Sequence, residues 1–462
     1  MDNRNAITAN IYSEYLVLYP DGTEMLLNDA KKVGLEPLLL KHVNRILGTS
    51  PSIPLASLEY VQTLGWVKAD TNADQGHFRY YPAGFRVFEL IRIWLNQQIQ
   101  RELQAEQIKT PYFFDWQQDE LRSQVETFHD RLYYVINFEQ DRKFFLRFGA
   151  DPGLFSFLQD IQLSHQQLPL RIYEYIDGFR YNQSGELRGI HRARAFSFFD
   201  IHSICATMDD AWAEYRLMYD HHVSLSQQLK MPYTVEFTVV KPFFENNKWR
   251  LLEIVRSHGM PVIVEVLSGA KHYWPMKHVF YDRHGLRYFN TQLDTANAER
   301  YNLHYQNAQN ESSKPMICHT SLGSIERWII INVENALETS PSSLPLWLCP
   351  TQVRIIPVNE TFISPALELA KKLNQNHIRT DVDDRKKTVG RKLRFAHEQW
   401  LPIMIVFGQD EVDTGVYKLN LRTSDELKFM IYKELINYIK EQCEGYPTLP
   451  LGHPLVSRQV KS

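Results

Sequence analysis

The spacing of apolar residues changes near residue 340, and this change limits the folds that the chain can adopt. After the stretch 340–345, which is rich in Ser and Pro, candidate strands and helices alternate regularly. Such alternation is typical of a compact α/β domain. Between residues 109 and 328, β-rich segments follow one another with few regular crossovers. The chain is therefore predicted to be α+β, with a largely antiparallel sheet followed by a separate α/β domain.

The C-terminal α/β domain is predicted to span residues 346–462. Its candidate strands are 353–357, 378–382, 402–407 and 417–421, and its candidate helices are 364–374, 389–400 and 424–442. We place the start of the last helix at Ser424, because Asp425 and Glu426 complete an N-terminal capping signature.

A hairpin is predicted near the N-terminus. Two short apolar runs, 15–19 and 23–27, flank Pro20-Asp21-Gly22, where glycine supplies the positive φ that such a turn can need. We assign residues 1–75 to a small α+β module that includes this hairpin.

A long amphipathic helix is predicted from Phe85 to Leu103. One face of it carries apolar residues three or four positions apart, namely Phe88, Ile91, Leu95 and Ile99. This helix lies near the start of the second predicted domain, residues 76–340.

Composition and charge exclude whole classes of protein. Lys plus Arg (51) nearly balance Asp plus Glu (54), so a nucleic-acid partner would need a local basic patch. The four cysteines form no C-x-x-C pair, which argues against a disulfide framework and a zinc ribbon. The first residues lack a signal-peptide pattern, and no apolar run approaches the roughly 20 residues that span a bilayer. We expect a soluble cytoplasmic protein with no membrane partner.

Arginine and aromatic residues gather around a second predicted hairpin, residues 171–196. Its two strands flank the turn Asn182-Gln-Ser-Gly185, with Arg180 before the turn and Phe196 after it. Guanidinium groups can clamp phosphate oxygens, and an aromatic ring can stack on a base. An arginine-rich hairpin exposed to solvent would give the same pattern.

Another arginine closes the segment Gly323-Ser-Ile-Glu-Arg327, which precedes the apolar run 328–332. Glycine would let the backbone approach a neighbour closely, and a helix starting here would direct Arg327 at a triphosphate. A surface ion pair between Glu326 and Arg327 is the alternative.

In order and spacing, these segments resemble the three motifs of class II aminoacyl-tRNA synthetases. Tyr80-Tyr-Pro82, the long helix and Lys109-Thr-Pro111 resemble motif 1, which implies a homodimer. Phe179-Arg180 and the turn after it resemble motif 2, and Gly323 to Arg327 resembles motif 3. The resemblance implies an antiparallel-sheet catalytic domain.

Longer strings resemble the threonyl-tRNA synthetase family, particularly its archaeal members. In the catalytic part they are 146–156, 168–171, 194–202, 271–274, 291–294 and 297–300. In the C-terminal part, the strings 347–350, 382–385, 390–394 and 407–411 resemble the anticodon-binding module that several class II families share. The resemblance implies ATP-dependent activation of threonine and its transfer to the 3′ end of tRNA(Thr).

The resemblance also implies an ATP site, formed by Arg180, Asn182, Arg192, Arg194, Phe196 and Arg327. Arg180 and Arg327 would act on the phosphates as the catalytic residues, together with Mg²⁺, while Phe196 would stack on the adenine. Fixed positive charge can stabilise the transition state without a nucleophilic side chain. Asn182 stands where the family has Glu, and it would accept a hydrogen bond from the adenine without charge assistance.

Threonyl enzymes hold Zn²⁺ with Cys, His and His, and the corresponding positions here are Asp151, His202 and Cys318. All three residue types bind zinc, and three protein ligands suit a catalytic site, so we expect zinc to be retained. A metal-free pocket is the alternative, with Asp151 capping a turn and Cys318 as a small buried apolar residue.

Three further residues are assigned to the threonine pocket by the resemblance. Asp200 would hold the substrate ammonium group, and Tyr273 and Gln292 would line the pocket. A site that engages the threonine hydroxyl rejects valine strongly but rejects serine only weakly, because serine lacks just one methyl group.

Basic residues of the C-terminal domain are candidates for tRNA binding: Arg385, Lys386, Arg391 and Arg394. A solvated helix face would look the same. Since the resemblance begins near Tyr15, we expect no editing domain. Misactivated serine would then be removed by a separate editing protein or tolerated. The changed residues also leave two other functions open. One is activation of another amino acid such as serine, and the other is a non-catalytic tRNA-binding or regulatory role.

Overall fold

The computed structural model describes residues 11–49, 56–126, 131–139, 142–270, 272–424 and 426–460. They fall into two compact units. The first contains the described residues of Met1–Ile53, Gln98–Asn182 and Ala195–Arg327, and the second contains those of Pro54–Gln97, Gln183–Arg194 and Trp328–Ser462.

Strands and helices are numbered in chain order. The strands are β1 (Ser13–Leu18), β2 (Glu24–Leu26), β3 (Val67–Ala69), β4 (Phe78–Tyr80), β5 (Glu106–Gln107), β6 (Phe113–Asp115), β7 (Tyr134–Asn137), β8 (Arg142–Leu146), β9 (Leu163–Ser164), β10 (Leu170–Phe179), β11 (Ala195–Cys205), β12 (Tyr233–Val240), β13 (Val262–Leu267), β14 (Met276–Asp282), β15 (Arg287–Asp294), β16 (Tyr305–Gln306), β17 (Ser312–Ser313), β18 (Met316–Ser324), β19 (Val353–Pro357), β20 (Thr380–Val382), β21 (Ile403–Phe407), β22 (Val416–Leu421) and β23 (Lys428–Ile431). The helices are α1 (Leu27–Val33), α2 (Pro37–Ile46), α3 (Ala56–Thr63), α4 (Pro82–Gln98), α5 (Asp119–Val125), α6 (Asp151–Gln159), α7 (Met208–Gln228), α8 (Lys241–His258), α9 (Asn297–Arg300), α10 (Ile325–Leu337), α11 (Ile363–Gln375), α12 (Val389–Glu398), α13 (Gln409–Thr414) and α14 (Tyr432–Gln442). Within the described ranges, no helix has the length and apolar character needed to cross a bilayer.

A ten-stranded sheet forms the centre of the first unit. Its order is β2-β1-β13-β12-β14-β15-β18-β11-β10-β5. Only the pairs β12–β13 and β10–β5 are parallel. The predicted α+β class with a largely antiparallel sheet is therefore confirmed.

The N-terminal hairpin is confirmed, but the separate module of residues 1–75 is not. β1 and β2 pair around Gly22, which has φ 95°. β1 also pairs along its whole length with β13, so the hairpin extends the central sheet. Val17 and Leu18 are fully buried there. The described residues from position 56 to 75 belong instead to the second unit.

Two long antiparallel strands, β10 and β11, carry or flank several of the predicted site residues. Their register runs from Leu170 opposite Ile204 to Phe179 opposite Ala195. Nine consecutive residues of β11, from Ser197 to Cys205, are buried. Side chains alternate between the two faces of a strand, so Asp200 and His202 lie on the same face.

The second unit contains a five-stranded sheet in the order β20-β19-β21-β22-β23. The strand and helix alternation predicted for this region is confirmed up to β22. The predicted helix 424–442 is wrong at its start, because Lys428–Ile431 pairs with β22 and α14 begins only at Tyr432. The side chain of Glu434 accepts the N–H of Ile431 at 3.0 Å, so the capping position is Ile431 rather than Ser424.

The long helix predicted over 85–103 is present as α4. It begins slightly earlier, at Pro82, because proline is well tolerated in the first helical turn. Its last predicted residues form a π-helical turn, Ile99–Leu103.

Candidate active site

Three adjacent strands of the central sheet bring polar side chains into one row. In the strand register, His319 of β18 lies opposite His202 of β11 on one side and opposite Gln292 of β15 on the other. The two imidazole rings are stacked, with centroids 4.2 Å apart and planes inclined by 10°. The row is almost completely buried, since His202 is 0% exposed.

Asp151 approaches this row from the first residue of α6. One of its carboxylate oxygens lies 3.1 Å from Nε2 of His202. Asp151, His202 and His319 each offer a donor atom, and these atoms all lie within 4.8 Å of one another. They form the candidate metal cluster of the described residues.

Cys318 is not part of this cluster, which corrects the predicted ligand set. Neighbouring residues of a strand face opposite sides of a sheet, so Cys318 points away from the face that carries His319. Burial, together with the nearby Cys205 and Glu214, raises the pKa of the Cys318 thiol. The sequence offers Cys318 and His319 side by side, and only the sheet register decides between them.

A buried network holds the start of α6 in place. A Cβ atom at Gly153 would lie 2.1 Å from Oγ1 of Thr110. Thr110 donates its N–H and its hydroxyl to Glu174, at 2.9 and 2.7 Å. Glu174 is in turn paired with Arg147 at 2.8 Å, and both side chains are fully buried. Sequence analysis missed this network, because no local pattern shows that the three segments meet.

Asp200 lies beside the candidate metal cluster. The backbone N–H of Ala150 donates to it at 2.9 Å, and Nε2 of His319 contacts its other oxygen. Burial disfavours its charge, but the charge and hydrogen bond of His319 outweigh burial and lower the pKa of Asp200 to about 2. Burial also opposes protonation of His319, and Asp200 outweighs it, so the pKa of His319 rises to about 9. Asp200 and His319 therefore form a buried ion pair beside the pocket, with the negative charge on Asp200.

Gln292 and Tyr273 complete the wall of the pocket. The Gln292 amide donates to the Tyr273 hydroxyl at 2.6 Å and also contacts Nδ1 of His319. Burial, and then the charges of nearby carboxylates, raise the pKa of Tyr273 well above its usual value, so this side chain stays neutral. Lys271, which belongs to one of the family-like strings, lies outside the described residues.

Arg180 follows β10 and is close to the same pocket. Its Nε donates to the carbonyl of Phe148 at 3.0 Å, and its guanidinium carbon lies 5.2 Å from the ring centroid of Phe196. Burial lowers the pKa of Arg180, while the neighbouring Asp200 acts in the opposite direction. Asn182, the next predicted ATP residue, is buried, and its N–H donates to the Arg180 carbonyl at 2.7 Å.

The motif containing Arg327 is shaped by a tight backbone contact. Gly323 has φ 76°, and a Cβ atom there would lie 2.2 Å from the carbonyl oxygen of Tyr288, so glycine is required. Glu326 accepts the N–H of Ser197 with both carboxylate oxygens, at 3.1 and 3.2 Å. Because Glu326 is buried, the predicted alternative of a surface Glu326–Arg327 ion pair is wrong.

Two of the predicted ATP residues belong to the second unit. Arg192 is paired there with Glu186 at 2.8 Å. Arg194 is only 2% exposed and donates to both carboxylate oxygens of Asp74 at 2.9 Å. Contacts of these two arginines with ATP stay predictions.

A basic surface lies at the N-terminus of α12 in the second unit. It surrounds a cavity of about 380 Å³, whose lining includes Arg385, Lys386, Lys387, Thr388, Arg391 and Lys392. Arg385 is paired with Asp383 at 2.6 Å, whereas Arg391 is exposed at the rim. Arg394 points to solvent and is paired with Glu398 at 3.0 Å.

The sequence matches two family models. Residues 133–336 match the tRNA synthetase class II core domain (G, H, P, S and T), and residues 352–442 match the anticodon binding domain. Threonine--tRNA ligases from Methanococcus aeolicus and Methanosarcina barkeri are each 32% identical to this chain, over 445 and 471 residues. The alignments cover 92% and 96% of this chain, and 69% and 73% of those proteins. This chain belongs to the threonine--tRNA ligase family.

Solved structures show the same fold. The RNA binding domain of threonyl-tRNA synthetase from Cryptosporidium parvum Iowa II superposes with a TM-score of 0.75 at 21% identity, covering 85% of this chain and 99% of that one. Prolyl-tRNA synthetase from Cryptosporidium parvum, complexed with L-proline and AMP, gives a TM-score of 0.65 at 14% identity, covering 84% and 75%. The predicted class II architecture of the threonine--tRNA ligase family is thus confirmed.

Proposed function

We propose that this chain activates threonine with ATP and transfers it to the 3′ end of tRNA(Thr). The observation that carries the proposal is the row formed by His202, His319 and Gln292, flanked by Asp200 and Asp151. It combines a fixed carboxylate for an ammonium group with a cluster that suits a divalent metal. The curated relatives are threonine--tRNA ligases, which supports this substrate.

The residues present suit a bound metal at the Asp151–His202–His319 cluster. Nδ1 of His202 is buried without a hydrogen-bond partner among the described residues, and the three donors are nitrogen or oxygen atoms. A metal there, such as zinc, would supply a Lewis acid for the polar groups of threonine. Asp200 would hold the substrate ammonium group, and the amide of Gln292 would fix the orientation of His319 and Tyr273.

Adenylate formation joins a carboxylate oxygen of threonine to the α-phosphorus of ATP, and pyrophosphate leaves. Arg180 and Arg327 would stabilise the negative charge that develops on the phosphates. Mg²⁺ bound with ATP would add to this stabilisation. Phe196 already lies against the Arg180 guanidinium and would offer its ring to the adenine.

The C-terminal domain, residues 346–462, would bind the anticodon arm of tRNA(Thr). Arg391 is exposed at the rim of the cavity described above and can reach phosphates. Arg385, Lys386 and Arg394 can do so once the carboxylates paired with them are displaced.

The proposed enzyme acts as a homodimer. β7 and the residue after it expose apolar side chains at alternate positions, which share one face, with Tyr134 40%, Ile136 51% and Phe138 89% exposed. Exposed apolar residues that share one face favour association. Sedimentation of a Phe138→Lys variant should show monomers if this surface is the interface, and an unchanged dimer would exclude it.

The test of the function is ATP–pyrophosphate exchange with each of the twenty amino acids. Threonine should support exchange, serine should be disfavoured by about 10 to 200-fold, and valine should be rejected more strongly. Arg180→Ala should reduce exchange by about a hundredfold or more, whereas Arg216→Ala, on the exposed side of α7, should not change it. Exchange with a different amino acid would reassign the substrate. Binding of tRNA without any exchange would refute the proposal.

A further inference from the structure

We propose that Asp151, His202 and His319 form a two-histidine, one-carboxylate site that accepts Mn²⁺, Fe²⁺ and Co²⁺ as well as Zn²⁺, with Asp151 as the residue that broadens this selection. The inference rests on the metal site of the proposed function, and it adds the choice of metal.

The distances between the donor atoms allow all three side chains to reach one ion. Two donors that bind a metal at about 2.1 Å each can lie no more than about 4.2 Å apart. The donor atoms here lie within 4.8 Å of one another, so they need to move by well under 1 Å to share an ion.

The donor set contains no thiolate. Cys318 faces the opposite side of the sheet, where it lies near Cys205 and Glu214. Thiolates favour soft metals and zinc, imidazoles suit zinc and iron, and carboxylates suit manganese. Two histidines and one carboxylate with open positions are the set that binds Fe²⁺ in non-haem sites. Exchanging this carboxylate for a thiolate should therefore narrow the selection towards Zn²⁺.

The surroundings bring the three side chains together. The histidines come from paired strands and their rings are stacked. Gln292 contacts Nδ1 of His319 and so fixes the orientation of its ring. Asp151 begins α6 just before Gly153, which packs against Thr110. Nε2 of His319 contacts Asp200, so a bound ion would replace this contact, and the stacked rings would tilt so that both imidazoles face the ion. Three protein ligands would then leave coordination positions open for other ligands.

Metal binding by the full chain tests the inference without any need for activity. After chelation of bound metal, Mn²⁺ binding is followed by electron paramagnetic resonance, Co²⁺ binding by absorption, and Zn²⁺ binding by competition with Mn²⁺. The variants are Asp151→Cys and Asp160→Asn, which alters an exposed carboxylate at the other end of α6 and serves as the matched control.

We expect one Mn²⁺ per wild-type chain, displaced by Zn²⁺, and no thiolate-to-cobalt charge-transfer absorption. Asp151→Cys should weaken Mn²⁺ binding about tenfold or more relative to Zn²⁺ and should gain that absorption. Asp160→Asn should behave as wild type. If Asp151→Cys does not fold, His319→Gln provides the second variant and should abolish the Mn²⁺ signal.

Three results would overturn the inference. These are wild-type protein that binds Zn²⁺ but no Mn²⁺, wild-type protein that binds neither, and an Asp151→Cys variant with an unchanged ratio of Mn²⁺ to Zn²⁺ affinity. The exchange assay is a separate readout. A chain that binds Mn²⁺ at this cluster but never activates threonine would refute the proposed function and leave the metal site intact.

Discussion

Replacing Gly153 by alanine should disturb the candidate active site from a distance. The added Cβ would lie 2.1 Å from Oγ1 of Thr110, which is about 1.3 Å closer than the 3.4 Å of an ordinary contact. Thr110 cannot move away easily, because Glu174 accepts two hydrogen bonds from it and is itself paired with Arg147. The start of α6, which carries Asp151, should therefore shift instead.

The size of the effect of Gly153→Ala follows from the crowding at Thr110 and from the displacement of Asp151. Overpacking of this kind costs about 1 to 3 kcal/mol of unfolding free energy. A shift near 1 Å at Asp151 would also break its 3.1 Å contact with His202, and misplacement on this scale costs about a hundredfold in rate. We expect Gly153→Ala to bind metal more weakly and to lose roughly that factor in threonine-dependent exchange.

The assay combines urea unfolding, metal content and exchange kinetics. Gly269→Ala is the matched control in the same unit, because a Cβ there would meet only a side-chain atom of Ile11 at 3.8 Å. Its unfolding free energy should stay within about 0.5 kcal/mol of wild type. If Gly153→Ala matches Gly269→Ala in stability, metal content and exchange, then Thr110 does not fix the position of α6.

Three other perturbations test buried and surface charges. Burial lowers the pKa of His278 to about 3, so near pH 5 the unfolded chain binds a proton at this residue that the folded chain does not. Between pH 7.5 and 5 the contribution of His278 should therefore lower the unfolding free energy by about 2 kcal/mol. His278→Leu should flatten this pH dependence in urea titrations by about one proton. Arg147→Met should cost about 3 to 5 kcal/mol in chemical denaturation, because it leaves Glu174 buried without its cation, and adding Glu174→Gln should recover part of the loss. Arg391→Ala should weaken tRNA binding in filter-binding titrations, and the slope of log K against log salt concentration should become smaller in magnitude by about 1. Threonine-dependent exchange should not change.

The overall architecture could be predicted because long segments of the sequence resemble those of one enzyme class. The segments around Arg180 and Arg327 keep the order and spacing of class II motifs, and the alternation after residue 345 is regular. These signals are local in sequence. They remain readable even though Asn182 and Asp151 depart from the family pattern.

The sheet register and the long-range pairings could not be predicted. Cys318 and His319 are adjacent and both can bind metal, so an error of one residue exchanges the two faces of β18. The pairing of β1 with β13 joins residues about 250 positions apart. The strand Lys428–Ile431 was mistaken for the start of a helix because its pairing with β22 outweighs the local capping signal.

The path of the chain has a consequence for engineering. Trp94 of α4 packs against Trp347 and Tyr446, whose rings are stacked 4.5 Å apart, and all three belong to the second unit. A cut at residues 340–345 would therefore take the C-terminal domain away from part of its own aromatic core. Grafting residues 346–462 onto another synthetase as a cassette would require a surrogate for α4.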